Sequence, residues 1–160
     1  MVEISRKINP EEVKGMGVID RTQIVGRARE WLGTPYHHQA SKKGIGVDCI
    51  GLVRGIWREI YGTEPWGKLN YSSDWGDANG NEDLLAAGMT YLEQITLNEA
   101  GPGDVVAMRW KETMVAKHVL ILTFDGKAIH AYNKAPVSEI HLSEWWTSKF
   151  VAAFRFPGVD

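Results

Sequence analysis

The run from Asp48 to Gly62, DCIGLVRGIWREIYG, constrains the fold more than any other part of the chain. Leu52, Val53, Ile56, Trp57 and Ile60 recur at the i, i+3, i+4, i+7 spacing of a helix with one buried face. Such a face needs a second layer to cover it. Asp48 is a good N-cap, and Gly44 and Gly46 suit the irregular backbone before it. Cys49 then falls in the first turn, where unpaired amides and the helix dipole favour an anion such as a thiolate. It is the only cysteine of the chain, so no internal disulfide forms. On its own it reads either as a small buried hydrophobe or as a nucleophile.

Before this helix, Asp20 and Gln23 form a capping box that opens a helix through Leu32, with Ile24, Val25, Ala28, Trp31 and Leu32 as its buried stripe. Gly33 ends it, and GTPYHHQASKKGIGV delivers the chain to Asp48. Residues 1–19, broken by Pro10, Gly15 and Gly17, read as an arm; residues 20–160 read as one domain. Trp66 to Asn81 is polar and rich in Gly and Asn, a long surface loop. A further helix is predicted from Glu82 to about Ile95, with Leu85, Met89 and Leu92 inward.

Beyond this point the texture turns to strands. PGDVVAMRW starts one at Asp104, KHVLILTF and KAIHAYN form a pair through Asp125-Gly126, and VSEIHL alternates. Ser143 caps a short turn around Trp145 and Trp146, and FVAAFRF closes the chain. Helices followed by an antiparallel meander make an α+β layout, with the Cys49 helix packed on an antiparallel β-sheet.

With 160 residues there is room for one proper core but not for two domains. A net charge of −2 argues against a nucleic-acid partner. No apolar run is long enough to span a membrane, and MVEISRKINPEEVKG has no apolar signal core. The seven tryptophans are mostly core, though some suit a sugar- or peptide-binding surface. His37, His38, His118, His130 and His141 show no metal-ligand spacing, so neither metal nor cofactor is expected. Lys42, Lys43, Lys117 and Lys134 flank these segments, either as solvated surface charge or as contacts for substrate carboxylates.

An activated cysteine needs a base, and the base needs an orienting partner. His118 opens one strand and His130 lies in its hairpin partner. DCIGLV, PGDVV, KHVLILT and AIHAY, in this order, resemble the D-C-S-G-L-V, P-G-D-L-V, H-V-G-I-Y and I-H-A patterns of the NlpC-type cell-wall peptidases, a family of papain-like cysteine hydrolases. The resemblance covers about Ile24 to Phe156. It implies a papain-like fold, with Cys49 as nucleophile, His118 as base and His130 as the orienting residue. It places Tyr36 beside the cysteine and makes Tyr36 and Asp48 the candidate substrate contacts. The implied partner is a peptide of bacterial peptidoglycan, cut after a γ-linked D-glutamate. Ile50 departs from the pattern, standing where many members have a serine that holds the substrate's amino end.

GTPYHHQA and IWREIYG look most like members from phage tails and gene-transfer-agent particles. This implies a protein made in the cytoplasm that reaches the wall as part of a particle. An amidase or acyltransferase using the same pair, and a non-catalytic wall-binding module, are the alternatives. Electrostatically, the helix N-terminus favours a thiolate by about 0.3–1 kcal/mol, Asp48 opposes it, and an imidazolium in contact is expected to outweigh both.

The hairpin carries a test of this site. A two-residue turn at Asp125-Gly126 sends His118 and His130 to opposite faces. A three-residue loop, Phe124-Asp125-Gly126, pairs Thr123 with Lys127 and puts both on one face. Asp-Gly by itself favours the shorter turn, but the catalytic reading needs the odd loop or a compensating bulge elsewhere; it predicts a type I turn with Gly126 at positive φ, and both rings on the face that meets Cys49.

Overall fold

The computed structural model describes residues 17–64 and 80–160. Most of the predicted arm and of the loop from Trp66 to Asn81 lie outside the described residues. Four α-helices are described: α1 (Arg21–Arg29), α2 (Cys49–Tyr61), α3 (Asp83–Tyr91) and α4 (Glu144–Thr147). Strands β1 (Ser41–Lys42) and β2 (Gly46–Val47) form a small antiparallel pair inside the loop before α2. The main sheet holds β3 (Glu93–Ile95), β4 (Val105–Met108), β5 (His118–Leu122), β6 (Lys127–His130), β7 (Ser138–His141) and β8 (Phe150–Arg155). Its order is β3-β8-β4-β5-β6-β7 with antiparallel neighbours, so the meander β4 to β7 is closed on its other side by β8.

The helix boundaries follow their caps. Asp20 accepts from the Thr22 amide while Gln23 bonds back to the Asp20 amide, and both halves of the capping box form. Asp48 caps α2 through the Gly51 amide, and Gly62 ends it in the left-handed conformation at φ 79°. Leu52, Ile56 and Trp57 of α2 are buried in a cluster with Ile24, Ala28 and Trp31 of α1 and with Val105, Ala107, Val119, Ile121 and Ile129 of the sheet. The opposite face of the sheet carries a second cluster: Val106, Met108, Leu120, Ala128 and Ala153, with Trp110, Trp146 and Phe150 against it. Helix and sheet layers thus share one core, the α+β arrangement read from the sequence.

Some details differ from that reading. The first helix ends at Arg29 rather than running through Leu32 to Gly33, and Leu32, placed in its buried stripe, is exposed. Ile19, inside the predicted arm, is buried and bridges to Val159, so the packed unit includes it. The helix predicted to Ile95 stops at Tyr91, and Glu93–Ile95 pairs with β8 instead. Its inward residue is Leu84, whereas Met89 is exposed; Gly88 faces the Phe154 ring, and the close approach it allows sets which side of α3 packs. Among the described residues no helix is long and apolar enough to cross a membrane.

Candidate active site

The start of α2 is fastened to the loop before it by backbone contacts. Asp48, 2% exposed, accepts from the Gly51 amide through Oδ1 and from the Gln39 amide through Oδ2, both at 2.7 Å. The Ser41 hydroxyl donates to the Gly51 carbonyl at 2.5 Å. Gly51 has no room for a side chain: a Cβ there would lie 1.9 Å from the Ala40 carbonyl oxygen. Loop and helix therefore meet backbone to backbone, which fixes where Cys49 sits. Asp48, a candidate substrate contact by resemblance, is foremost the strut of this joint. His38 Nδ1 stands 3.8 Å from its Oδ2.

Cys49 is half-buried. Burial, and next the charge of Asp48, push its thiol up to about 12, while the amides of Val119, Ile50 and Cys49 itself favour the thiolate. The sulfur thus lies against the backbone of β5, one residue beyond His118. Tyr36 completes this neighbourhood; burial first, then the charges of Cys49 and Asp48, raise its phenol. Ile50 lines an apolar cavity of about 60 Å³ together with Val53, Leu84, Val119 and Phe154.

The hairpin has the odd loop. Ile121 pairs with Ile129 and Leu122 with Ala128, and the Thr123 amide donates to the Lys127 carbonyl at 2.9 Å. This register puts His130 across from Leu120, two places from His118. The two imidazoles join through His118 Nε2 and His130 Nδ1 at 2.8 Å. The turn is not type I, because Asp125 (φ 60°) and Gly126 (φ 69°) are both left-handed. The Asp-Gly pair keeps the backbone of a two-residue turn, and Phe124 is taken in as the extra residue.

The expected face needs correction. Strand alternation places His118 with Leu120, and His130 with Ala128, on the side of the second cluster, while Cys49 packs against the first. The rings share a face with each other, on the far side of the sheet from the body of α2. The amide of Val119, the residue after His118, is the β5 group that meets the Cys49 sulfur.

Both histidines are 4% exposed. Burial, then the neighbouring His130, lowers His118 to about 3, and burial lowers His130 to about 4. The resting site therefore holds a neutral thiol and neutral imidazoles. Burial acts here against charge on the thiol and on both imidazoles, in the opposite direction from the lowering that an imidazolium in contact gives a thiol. A proton passed from sulfur to imidazole creates two charges together, and their attraction in a low-dielectric site counters the cost of each.

The remaining candidates separate cleanly. Lys43 bonds Glu30 and Glu59 at 2.8 and 2.6 Å, which makes it a brace between α1 and α2. His37 turns to the His38 carbonyl at 3.1 Å, and His141 is exposed on β7. Among the described residues no three His, Cys, Asp or Glu side chains gather as a metal site. Two contributors lay outside the sequence reading. One is the Val119 amide, hidden because a backbone group leaves no residue-type signal. The other is Trp110, whose ring stacks on His118 at 5.6 Å and which composition alone assigns to the core.

A sequence model of the NlpC/P60 family matches residues 33–155. The gamma-DL-glutamyl hydrolase of Bacillus subtilis (strain 168) is 28% identical over 134 residues, which cover 83% of this chain and 29% of that protein. This chain thus spans less than a third of that curated relative's length. Among solved structures, the NlpC/p60 domain of peptidoglycan hydrolase SagA gives a TM-score of 0.60 at 22% identity, covering 86% of this chain and 100% of that one. A NlpC/P60 family protein from Bacillus cereus gives 0.63 at 17%, over 89% and 42% of the two chains. The peptidoglycan hydrolase RipB from Mycobacterium tuberculosis gives 0.56 at 16%, over 96% and 69%. These likenesses show that the fold is shared, with its papain-like helix-on-sheet core.

Proposed function

The chain belongs to the NlpC/P60 family, and on that premise we propose that it is a cysteine peptidase that hydrolyses peptidoglycan stem peptides at a γ-D-glutamyl bond. Cys49 is the nucleophile, His118 the base and His130 the residue that orients it. One observation carries this reading: the hydrogen bond between His118 Nε2 and His130 Nδ1, in a fold where Cys49 opens α2 and its sulfur meets the amide of Val119, the residue after His118. With Nε2 engaged as donor, the nitrogen left to take the thiol proton is Nδ1, and His130, neutral by burial, is a competent acceptor. His118 is the first residue of β5, next to Val119, whose amide meets the Cys49 sulfur.

The steps balance within these groups. Sγ gives its proton to His118 Nδ1 and attacks the carbonyl carbon, and the amides at the start of α2 receive the developing oxyanion. The amide bond breaks as the imidazolium protonates the leaving nitrogen, leaving a thioester on Cys49. Water, deprotonated by the same imidazole, then releases the acid and the free thiol. Tyr36 stands beside the sulfur as the candidate substrate contact, while Asp48, buried and bonded to the Gly51 and Gln39 amides, holds the wall from behind. The γ-glutamyl bond is supported by the activity named for the Bacillus subtilis relative. Particle association is part of the same proposal, resting on the GTPYHHQA and IWREIYG segments, and detection of the chain in purified particles tests it.

Digestion of purified peptidoglycan followed by mass measurement of the products tests the activity. The wild-type chain releases fragments ending in γ-D-glutamate. Cys49→Ala releases none and melts at nearly the same temperature, since Ala suits a first helical turn and leaves a small void. Appreciable turnover by that variant would end the cysteine-peptidase reading.

A further inference from the structure

His118 must become an imidazolium during the proposed reaction, yet its hydrogen-bond partner is another imidazole, which offers a lone pair and no charge. An orienting carboxylate would have supplied an anion. What surrounds the pair instead is a set of aromatic rings. Trp110 stacks on His118 at 5.6 Å between centroids with 24° between the planes. Tyr132 lies parallel to His130 at 5.9 Å, and Trp146 meets His130 edge-on at 5.4 Å. Trp110 is itself held by Tyr132 at 5.3 Å and by Trp145 and Trp146 at 6.3 Å each. Its carbonyl accepts from Lys149 Nζ at 3.0 Å. A ring gripped from both sides in this way cannot turn its face away from the imidazole.

We propose that Trp110 is a positioning residue for the base: its indole face holds the His118 ring in plane and stabilises the imidazolium formed when the Cys49 proton arrives. This rests on the reading of His118 as the base of Cys49. A cation over an indole face is attracted by the ring quadrupole, and the attraction grows when water is excluded. A neutral imidazole gains much less, so the stack acts mainly on the charged state, which is the condition for lowering a barrier. The other ionisable groups at this point are His130, the Cys49 thiol against Val119, Tyr132, and Asp48 behind the thiol. Lys149 is a cation at the aromatic cluster, with Nζ 4.8 Å from the Trp145 centroid. Of these, Asp48 alone is an anion, and it is committed to the Gly51 and Gln39 amides.

Two variants separate an electrostatic role from filling space. Trp110→Met keeps an apolar chain over His118 without a π face, and Trp110→Phe keeps a weaker face. The first readout is the rate of Cys49 alkylation by iodoacetamide across pH 5–10, which needs no substrate. Trp110→Met slows alkylation at neutral pH by roughly 3- to 30-fold and moves the profile to higher pH, with Trp110→Phe in between. The second readout is turnover of a soluble wall peptide, where kcat falls by a similar factor and KM stays. An alkylation profile unchanged in Trp110→Met overturns the proposal. If that variant does not fold, an unchanged profile in Trp110→Phe does the same. A wild-type chain that alkylates as expected but cuts no wall peptide refutes the peptidase reading and leaves the Trp110 result standing on its own.

Discussion

At the scale of single residues, the site is governed by desolvation. The histidine pair lost water on folding and gained only one hydrogen bond between its members, so both rings are held neutral. That has a consequence for acid stability, with a definite sign. Each folded value, about 3 for His118 and about 4 for His130, lies below the unfolded value of 6.5. Stability is complete above pH 6.5 and is lost as pH falls through the folded values, because the unfolded chain takes up protons that the fold refuses. The carboxylates whose values are lowered, such as Glu139, act below their unfolded value of 4.5. The window from pH 6.5 to 4.5 therefore isolates the imidazoles. The melting temperature should fall across it, and a chain carrying His118→Gln with His130→Gln should lose most of that slope. Equal slopes in the two proteins would show that the pair is not buried neutral. Residue type announced the pair in the sequence, but the charge state did not follow from it.

At the scale of elements, the caps and periods were legible and the close approaches were not. Asp20 and Asp48 mark helix starts by their own chemistry, whereas Gly33 did not mark the end of α1, and the odd hairpin loop followed from asking that two histidines share a face. The end of α3 at Tyr91 and the exposure of Met89 were not legible, since a nine-residue helix shows too few turns to fix its face and Gly88 against Phe154 decides it. Gly51 is the same kind of contact at the site itself. A Cβ would lie 1.9 Å from the Ala40 carbonyl oxygen, a backbone atom that cannot move aside as a side-chain tip can. Gly51→Ala should therefore part the loop from α2, although alanine is the better helix former by about 1 kcal/mol. The expected cost is about 1–3 kcal/mol in urea unfolding, together with a loss of wall hydrolysis exceeding the loss of folded protein. A gain in stability, as intrinsic propensity alone requires, would mean that the joint between Ala40 and Gly51 is looser than described.

At the scale of the whole molecule, the layers are locked by one buried carboxylate far from Cys49 in sequence. Asp104, within the PGDVV motif, is fully buried. It accepts from Arg21 at the start of α1, from Arg155 at the end of β8 through Nε and Nη2, all at 3.0 Å, and from the Gly101 amide at 2.9 Å. Its backbone adds a bond from the Leu122 amide. The motif was readable as a turn into a strand; its partners were not, because they lie 83 and 51 residues away. A buried ion pair is weak support for net stability, since burying the charges costs nearly what their attraction returns. Removing one member is different, because the others have already lost water. Arg21 and Arg155 keep 25% and 19% of their side chains exposed, so part of that penalty is relieved by solvent. Asp104→Ala should thus destabilise by about 3 kcal/mol, the low end for a broken buried pair, while Asp104→Asn, which retains acceptor geometry, should cost less. Urea unfolding with an unchanged m-value measures both. The folded fraction of either variant should retain the Cys49 alkylation profile, since the clamp joins α1 to the start of β4 and the end of β8 without touching the thiol or the histidines. A loss for Asp104→Ala of under about 1 kcal/mol would mean that the apolar core alone holds the layers in register, and that the arginines gather on Asp104 as a result of the fold rather than as one of its causes.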